Sequence, residues 1–151
     1  MNEHPFSDLY RALAIHQAHW AKKQFDAGVL KGAAEPFGRH LELVEYQALW
    51  LTKFPLHFTP RFDIKALDEV VKGKVPDPET AEALFSAVYA DVLRFVLSIR
   101  PAQWDERVEL FFSARALNKP LWSLLAIWFE HSAALRGQID ARSDLLSTVY
   151  D

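Results

Sequence analysis

Apolar residues recur at helical spacing in four segments of the chain. The stripes predict helices over residues 7–27, 35–53, 77–100 and 119–142. In the first helix the apolar stripe is drawn through Leu9, Leu13 and Trp20, which places His16 on the same face. Four amphipathic helices in one chain of 151 residues, with no repeat or linker, predict an all-α four-helix bundle forming a single domain, 1–151.

Capping residues mark the ends of these helices. Ser7 is the predicted cap of the first helix, and Gly28 is expected to end it. Asp77 precedes a proline and is expected to cap the third helix, as Asn118 is for the fourth. The core line of the fourth helix includes residues that should be fully buried: Leu121, Leu124 and Trp128.

Two connecting segments carry weaker patterns. Residues 55–76 contain a short predicted helix capped by Asp63, and they are long enough to cross the bundle, so the helix order around the core need not follow the chain. Residues 102–119 fit an extended piece or a helical turn equally well. Any strand is expected within residues 105–115.

Composition narrows the function classes. The chain has no cysteine, which excludes disulfides, thiolate zinc sites, iron–sulfur clusters and a cysteine nucleophile. The 17 basic and 20 acidic residues give a net charge of −3, which argues against a nucleic-acid partner. No apolar run approaches the ~20 residues of a membrane span, and residues 1–20 do not have the pattern of a signal peptide. A cytoplasmic protein with no membrane partner is therefore expected.

The histidines are the candidate chemical groups. Three of the six, His16, His40 and His131, lie on or beside the apolar stripes of three different helices. Side chains from facing helices bind metals in helical bundles, and imidazole is a common metal ligand. The alternative is that each imidazole forms an ordinary hydrogen bond inside the core. His4 and His57 lie in terminal and loop segments and are expected to be exposed.

The run from His131 to Ile139 resembles the signature of the DinB-like family, His-x-x-x-His-Arg-Gly-Gln, through His131 and Arg136-Gly137-Gln138. Gly38-Arg39-His40 resembles the start of that family's second helix, and His19-Trp20-Ala21 resembles part of its first. The resemblance implies a four-helix bundle with non-sequential helix order, often dimeric. Members often hold a divalent metal through one histidine of the second helix and two of the fourth, and some are thiol S-transferases.

This chain departs from the family pattern at one ligand. His40 and His131 match two of the metal-binding histidines, but Leu135 stands at the third. His16 is the first candidate for a replacement ligand, with His19, Glu45 and Glu130 behind it. The degenerate arrangement would place His40 opposite His131 with Leu135 between them. Gly137 is expected where two helices pack closely.

Two functions follow as hypotheses. The first is a binding or accessory protein with an incomplete metal site, for which a homodimer is open because Trp and Phe are abundant. The second is a divalent-metal enzyme, a thiol S-transferase or a hydrolase, with zinc, nickel, manganese or iron held by His16, His40 and His131. A third alternative is that His40 and His131 only bond to each other or to water. Enzymatic activity and the ligand are left open.

Overall fold

The computed structural model describes residues 4–32, 34–54, 58–112 and 115–150, with side chains described as far as residue 142. The chain is mostly helical and carries one β-hairpin. The elements are α1 (Pro5–Asp26), α2 (Ala34–Lys53), α3 (Ile64–Val71), α4 (Pro78–Ser98), a 3₁₀ turn (Pro101–Gln103), β1 (Arg107–Phe112), β2 (Arg115–Pro120) and α5 (Leu121–Tyr150). None of the helices within these described ranges is both long and apolar enough to cross a membrane.

The four long helices surround one core in an order that differs from their order in the chain. Helix α1 packs on α4 and α5, and α2 also packs on α4 and α5. The consecutive helices α1 and α2 therefore lie across the core from each other and meet through side chains such as Gln17 and Gln47. The chain crosses between them in the short connection from Ala27 to residue 33, whereas residues 55–76 join α2 to its direct neighbour α4.

Three of the predicted capping and end residues, Gly28, Asp63 and Asp77, are confirmed. Asp63 and Asp77 cap α3 and α4 by accepting hydrogen bonds from backbone N–H groups three residues on. Gly28 follows the end of α1 with a φ of +80°, a conformation that glycine adopts without strain. The predicted Ser7 cap is wrong: His4 caps α1 through its Nδ1, and Ser7 is inside the helix, where its hydroxyl accepts from Trp104. His4 is also only partly exposed.

The hairpin occupies the segment whose pattern was ambiguous. Strands β1 and β2 pair antiparallel, with Arg107 opposite Pro120 and Phe112 opposite Arg115. The expected strand window of 105–115 therefore covers only the first strand. Asn118 is not a helix cap but a strand residue whose Oδ1 accepts from the Arg107 guanidinium. Helix α5 begins immediately after β2 and runs to Tyr150, beyond the predicted end at residue 142, because no glycine or proline follows Gly137.

The buried face of α1 differs from the predicted one. Leu9 and His16 are exposed, and the buried line instead runs one residue further on, through Tyr10, Ala14, Gln17, Ala21 and Phe25. The alanines present little side-chain bulk, so α1 can lie close to its neighbours while larger residues fill the flanks. The stripe of large residues predicted for α1 therefore lies partly beside the buried face rather than on it.

An aromatic cluster fills the centre of the core. Trp128, Leu124 and Leu121 are fully buried, as predicted. The Trp128 indole stacks on that of Trp50 with ring centroids 5.8 Å apart, and Phe54 and Phe95 contact the same indole. Helices α2, α4 and α5 thereby share one packed centre.

Gly137 does not lie at a close helix contact. A Cβ built on this residue meets no atom within 4 Å, and the residue is exposed. The predicted packing role for Gly137 is therefore wrong.

Candidate functional site: a pocket between α2, α3 and α5

The structure buries His40 completely against α1. The imidazole stacks on Trp20, with ring centroids 5.3 Å apart, and its Nε2 lies 3.3 Å from Oε1 of Gln24. Its Nδ1 is buried and has no hydrogen-bond partner in the part of the chain that is described. Burial lowers the pKa of His40 to about 4, although the nearby Asp140 carboxylate acts in the opposite direction. His40 is therefore neutral at physiological pH.

His131 lies elsewhere, on the exposed edge of α5. Its ring packs edge-on against Tyr46 with centroids 4.5 Å apart. Tyr46 is six residues beyond His40 on α2, which is about 9 Å along the helix axis. His131 faces α2 and α3, whereas His40 faces α1. The two matched histidines therefore do not face each other across Leu135.

The remaining proposed ligands do not complete a site around either histidine. His16 is exposed on α1, because the buried residue at that level is Gln17. His19 and Glu130 are exposed as well, and His57 lies outside the described residues. Within the described ranges no group of three or more histidine, aspartate or glutamate side chains is arranged to hold a metal ion. The residues that are described thus do not fit the metal that the resemblance implies.

His131 instead lines a pocket of about 450 Å³ between α2, α3 and α5. Leu135, one turn further along α5, lies on the same wall. The two α5 positions that the sequence resemblance aligns with metal ligands therefore both border this pocket. Its volume falls within the roughly 300–1,000 Å³ that is typical of small-molecule sites.

The pocket lining divides into apolar and acidic parts. The apolar residues are Ala48, Leu49, Phe62, Ile64, Leu67, Val71 and Leu135. The acidic residues are Glu42 and Glu45, one turn apart on α2, and Asp68 on α3. Tyr46, Thr52 and His131 supply the other polar groups. Burial raises the pKa of Tyr46, so its hydroxyl stays protonated and can donate a hydrogen bond.

Asp91 on α4 positions the α3 wall of the pocket. Its buried carboxylate accepts hydrogen bonds from the backbone N–H groups of Arg61 and Phe62, both at 2.8 Å. The other carboxylate oxygen accepts from the Arg94 guanidinium at 2.8 Å. Arg94 also donates to the carbonyl of Thr59. These contacts fix the chain leading into α3 and hold Phe62 at the pocket.

A buried polar network runs beside the pocket through residues that the sequence patterns did not single out. The side-chain amide N–H of Gln47 donates to Oε1 of Gln17 at 3.1 Å. The Oε1 of Gln47 accepts hydrogen bonds from the Ser132 hydroxyl and the Trp128 indole. All four side chains are buried. Gln17 shares its buried face with Ala14 and Ala21, but alanine alone does not mark that face, because Ala12 on the same helix is exposed.

No protein-family model matches this sequence, and no curated protein or solved structure matches it either.

Proposed function

We propose that this protein is a DinB-like helical bundle that binds a small molecule in the pocket between α2, α3 and α5, without the metal that its relatives hold. Two observations support the resemblance. The Arg136-Gly137-Gln138 signature lies on the last helix, as the family pattern requires, and the helix order around the core is non-sequential. The proposed small-molecule binding rests on the pocket.

The decisive observation is the place of His131 and Leu135. These residues match the family's paired α5 ligands, and both line a cavity of about 450 Å³. With leucine at the second position, this wall keeps the cavity and becomes more apolar. That change favours binding of an organic molecule over coordination of a metal. The metal-enzyme alternative needs His16, His40 and His131 together, and they lie on separate faces.

The test uses 4-phenylbutan-1-ol as a neutral probe and methyl NMR as the readout. Binding in the pocket should shift the methyl signals of Leu67 and Leu135, while those of Leu110, a buried residue of β1 outside the pocket lining, should stay in place. Thr52→Trp adds bulk at an exposed lining position and should abolish these shifts. Ser86→Trp, at an exposed position on α4, is the matched control and should retain them. Shifts that persist unchanged in Thr52→Trp would place the probe elsewhere and contradict the proposal.

The homodimer stays a prediction. Phe111, Trp122 and Ile127 are exposed apolar side chains on β1 and the start of α5. Sedimentation equilibrium of the full chain at micromolar concentration measures whether two copies associate.

A further inference from the structure

The ligand class can be read from the distribution of charge around the pocket. Three carboxylates line it, those of Glu42, Glu45 and Asp68, and no lysine or arginine of the described residues does. The whole chain carries a net charge of −3. An excess of negative charge as large as that of the entire protein is thus present around one cavity.

These carboxylates have no cationic partner among the described side chains, whereas several carboxylates elsewhere do. Glu35 pairs with Arg39 and Arg142, Asp26 pairs with Lys22, and Glu69 pairs with Lys74. By contrast, Glu42, Glu45 and Asp68 form no ion pair with any side chain in the described ranges. Side chains of like charge placed close together repel each other, and a cation bound among them relieves that repulsion.

The rest of the lining determines what the cation is attached to. Phe62, Leu67 and Leu135 are buried core residues that also border the cavity, so its floor is apolar. A hydrated metal ion or a polyamine with charges along its whole length would leave this floor uncovered. An aliphatic or aromatic body covers it, while a single cationic group reaches the carboxylates.

We propose that the pocket binds a small organic amine, with one ammonium group between the α2 and α3 carboxylates and an apolar body against Phe62, Leu67 and Leu135. This inference rests on the proposed function, since it names the ligand class of the same pocket. Tyr46 adds an aromatic face and a hydroxyl donor at the rim. The face of a tyrosine ring attracts an ammonium group electrostatically.

Three probes with the same carbon skeleton test the charge requirement. Calorimetry with 4-phenylbutylamine, 4-phenylbutan-1-ol and 4-phenylbutyrate should give at least tenfold tighter binding of the amine than of the alcohol, with the carboxylate weakest. Raising the salt concentration should weaken binding of the amine more than that of the alcohol, because ions screen the attraction between exposed charges.

Variants assign the effect to the pocket. Glu42→Gln combined with Glu45→Gln should remove the advantage of the amine over the alcohol. Glu109→Gln, an exposed position on β1 outside the pocket, should leave that advantage unchanged. If the alcohol binds as tightly as the amine, the inference is overturned and the proposed function stands. If none of the three probes binds, the proposed function fails and the inference fails with it.

Discussion

His40 makes the stability of the protein depend on pH. The pKa of this buried imidazole is about 4 in the folded chain, against an ordinary value of 6.5. Well above pH 6.5 the His40 imidazole is neutral in both the folded and the unfolded chain, so the free energy of unfolding is at its maximum with respect to this group. As the pH falls toward 4, the unfolded chain binds a proton that the folded chain excludes. We expect this to cost about 3 kcal/mol of unfolding free energy by pH 4.

The measurement is urea unfolding between pH 7 and pH 4 in wild type, His40→Gln and His16→Gln. The first variant should lose less stability on acidification than wild type, because glutamine does not titrate. The second removes an exposed histidine and should behave like wild type. If the free energy of unfolding changes with pH in the same way in all three proteins, folding does not lower the pKa of His40 and the prediction is wrong.

Gln47 and Tyr89 illustrate opposite outcomes for buried polar groups. Gln47→Leu leaves the buried Trp128, Ser132 and Gln17 groups without their partner and should cost about 2–4 kcal/mol.

The buried Tyr89 hydroxyl has no hydrogen-bond partner in the described part of the chain, so Tyr89→Phe should change stability by less than about 0.5 kcal/mol. Thermal unfolding of both variants measures the contrast. Equal losses would mean that the Tyr89 hydroxyl has a partner of its own.

Residue-level prediction from sequence succeeded for the large apolar residues of α5 and failed for the buried face of α1, which is built largely from small and polar residues. Trp128, Leu121 and Leu124 are buried because burying such side chains is favourable almost wherever they meet a core. Gln17 is buried because Gln47 accommodates its amide across the bundle, 30 residues away in the chain. No local pattern reveals such a partner, and His16 was therefore placed on the wrong face.

At the scale of elements, Asp91 is expected to hold α3 in place. Asp91→Ala removes the acceptor for two backbone N–H groups and for Arg94 and should cost about 2–4 kcal/mol. Hydrogen exchange should accelerate over residues 61–71 more than over α4. Asp8→Ala, at an exposed carboxylate on α1, is the control and should leave exchange of that segment unchanged. Unaltered exchange over 61–71 in Asp91→Ala would show that other contacts fix α3.

Gly137 and Gly28 should respond in opposite directions to alanine. Gly137 lies inside α5 with open space around it, so Gly137→Ala should stabilise the protein by about 0.5–1 kcal/mol. Gly28 has a φ of +80° after the end of α1, where alanine is strained, so Gly28→Ala should destabilise it. Chemical unfolding of the two variants tests both signs. A destabilised Gly137→Ala would restore a packing role for this glycine.

Some helix boundaries were predictable because their signals are local. Asp63, Asp77 and Gly28 each act within a few residues of their own position, and the structure confirms them. The hairpin was not predictable in the same way, because β1 is stabilised by pairing with β2, and nothing in residues 107–112 alone indicates that partner. Asn118 is a residue type that often caps helices, but it lies in β2 because that strand pairs with β1.

For the whole molecule, the arrangement of the helices decides which side chains share a site. The sequence supplied the four helices and placed His131 and Leu135 one turn apart on α5. It did not supply the rotation of each helix, which turns His40 toward α1 and His131 toward α3. The histidines that the sequence resemblance would bring together therefore lie on two sides of α2.

The separation of His40 from His131 predicts where a metal would bind if a histidine were placed at position 135 of α5. In Leu135→His the new imidazole and that of His131 lie four residues apart on one helical face, beside the carboxylates of Glu42 and Glu45. We expect zinc or nickel to bind this variant more tightly than wild type in calorimetric titrations. Adding His40→Gln should leave that affinity unchanged, whereas adding His131→Gln should abolish it. Loss of binding on removal of His40 would mean that His40 turns toward α5 in solution and contributes to the metal site.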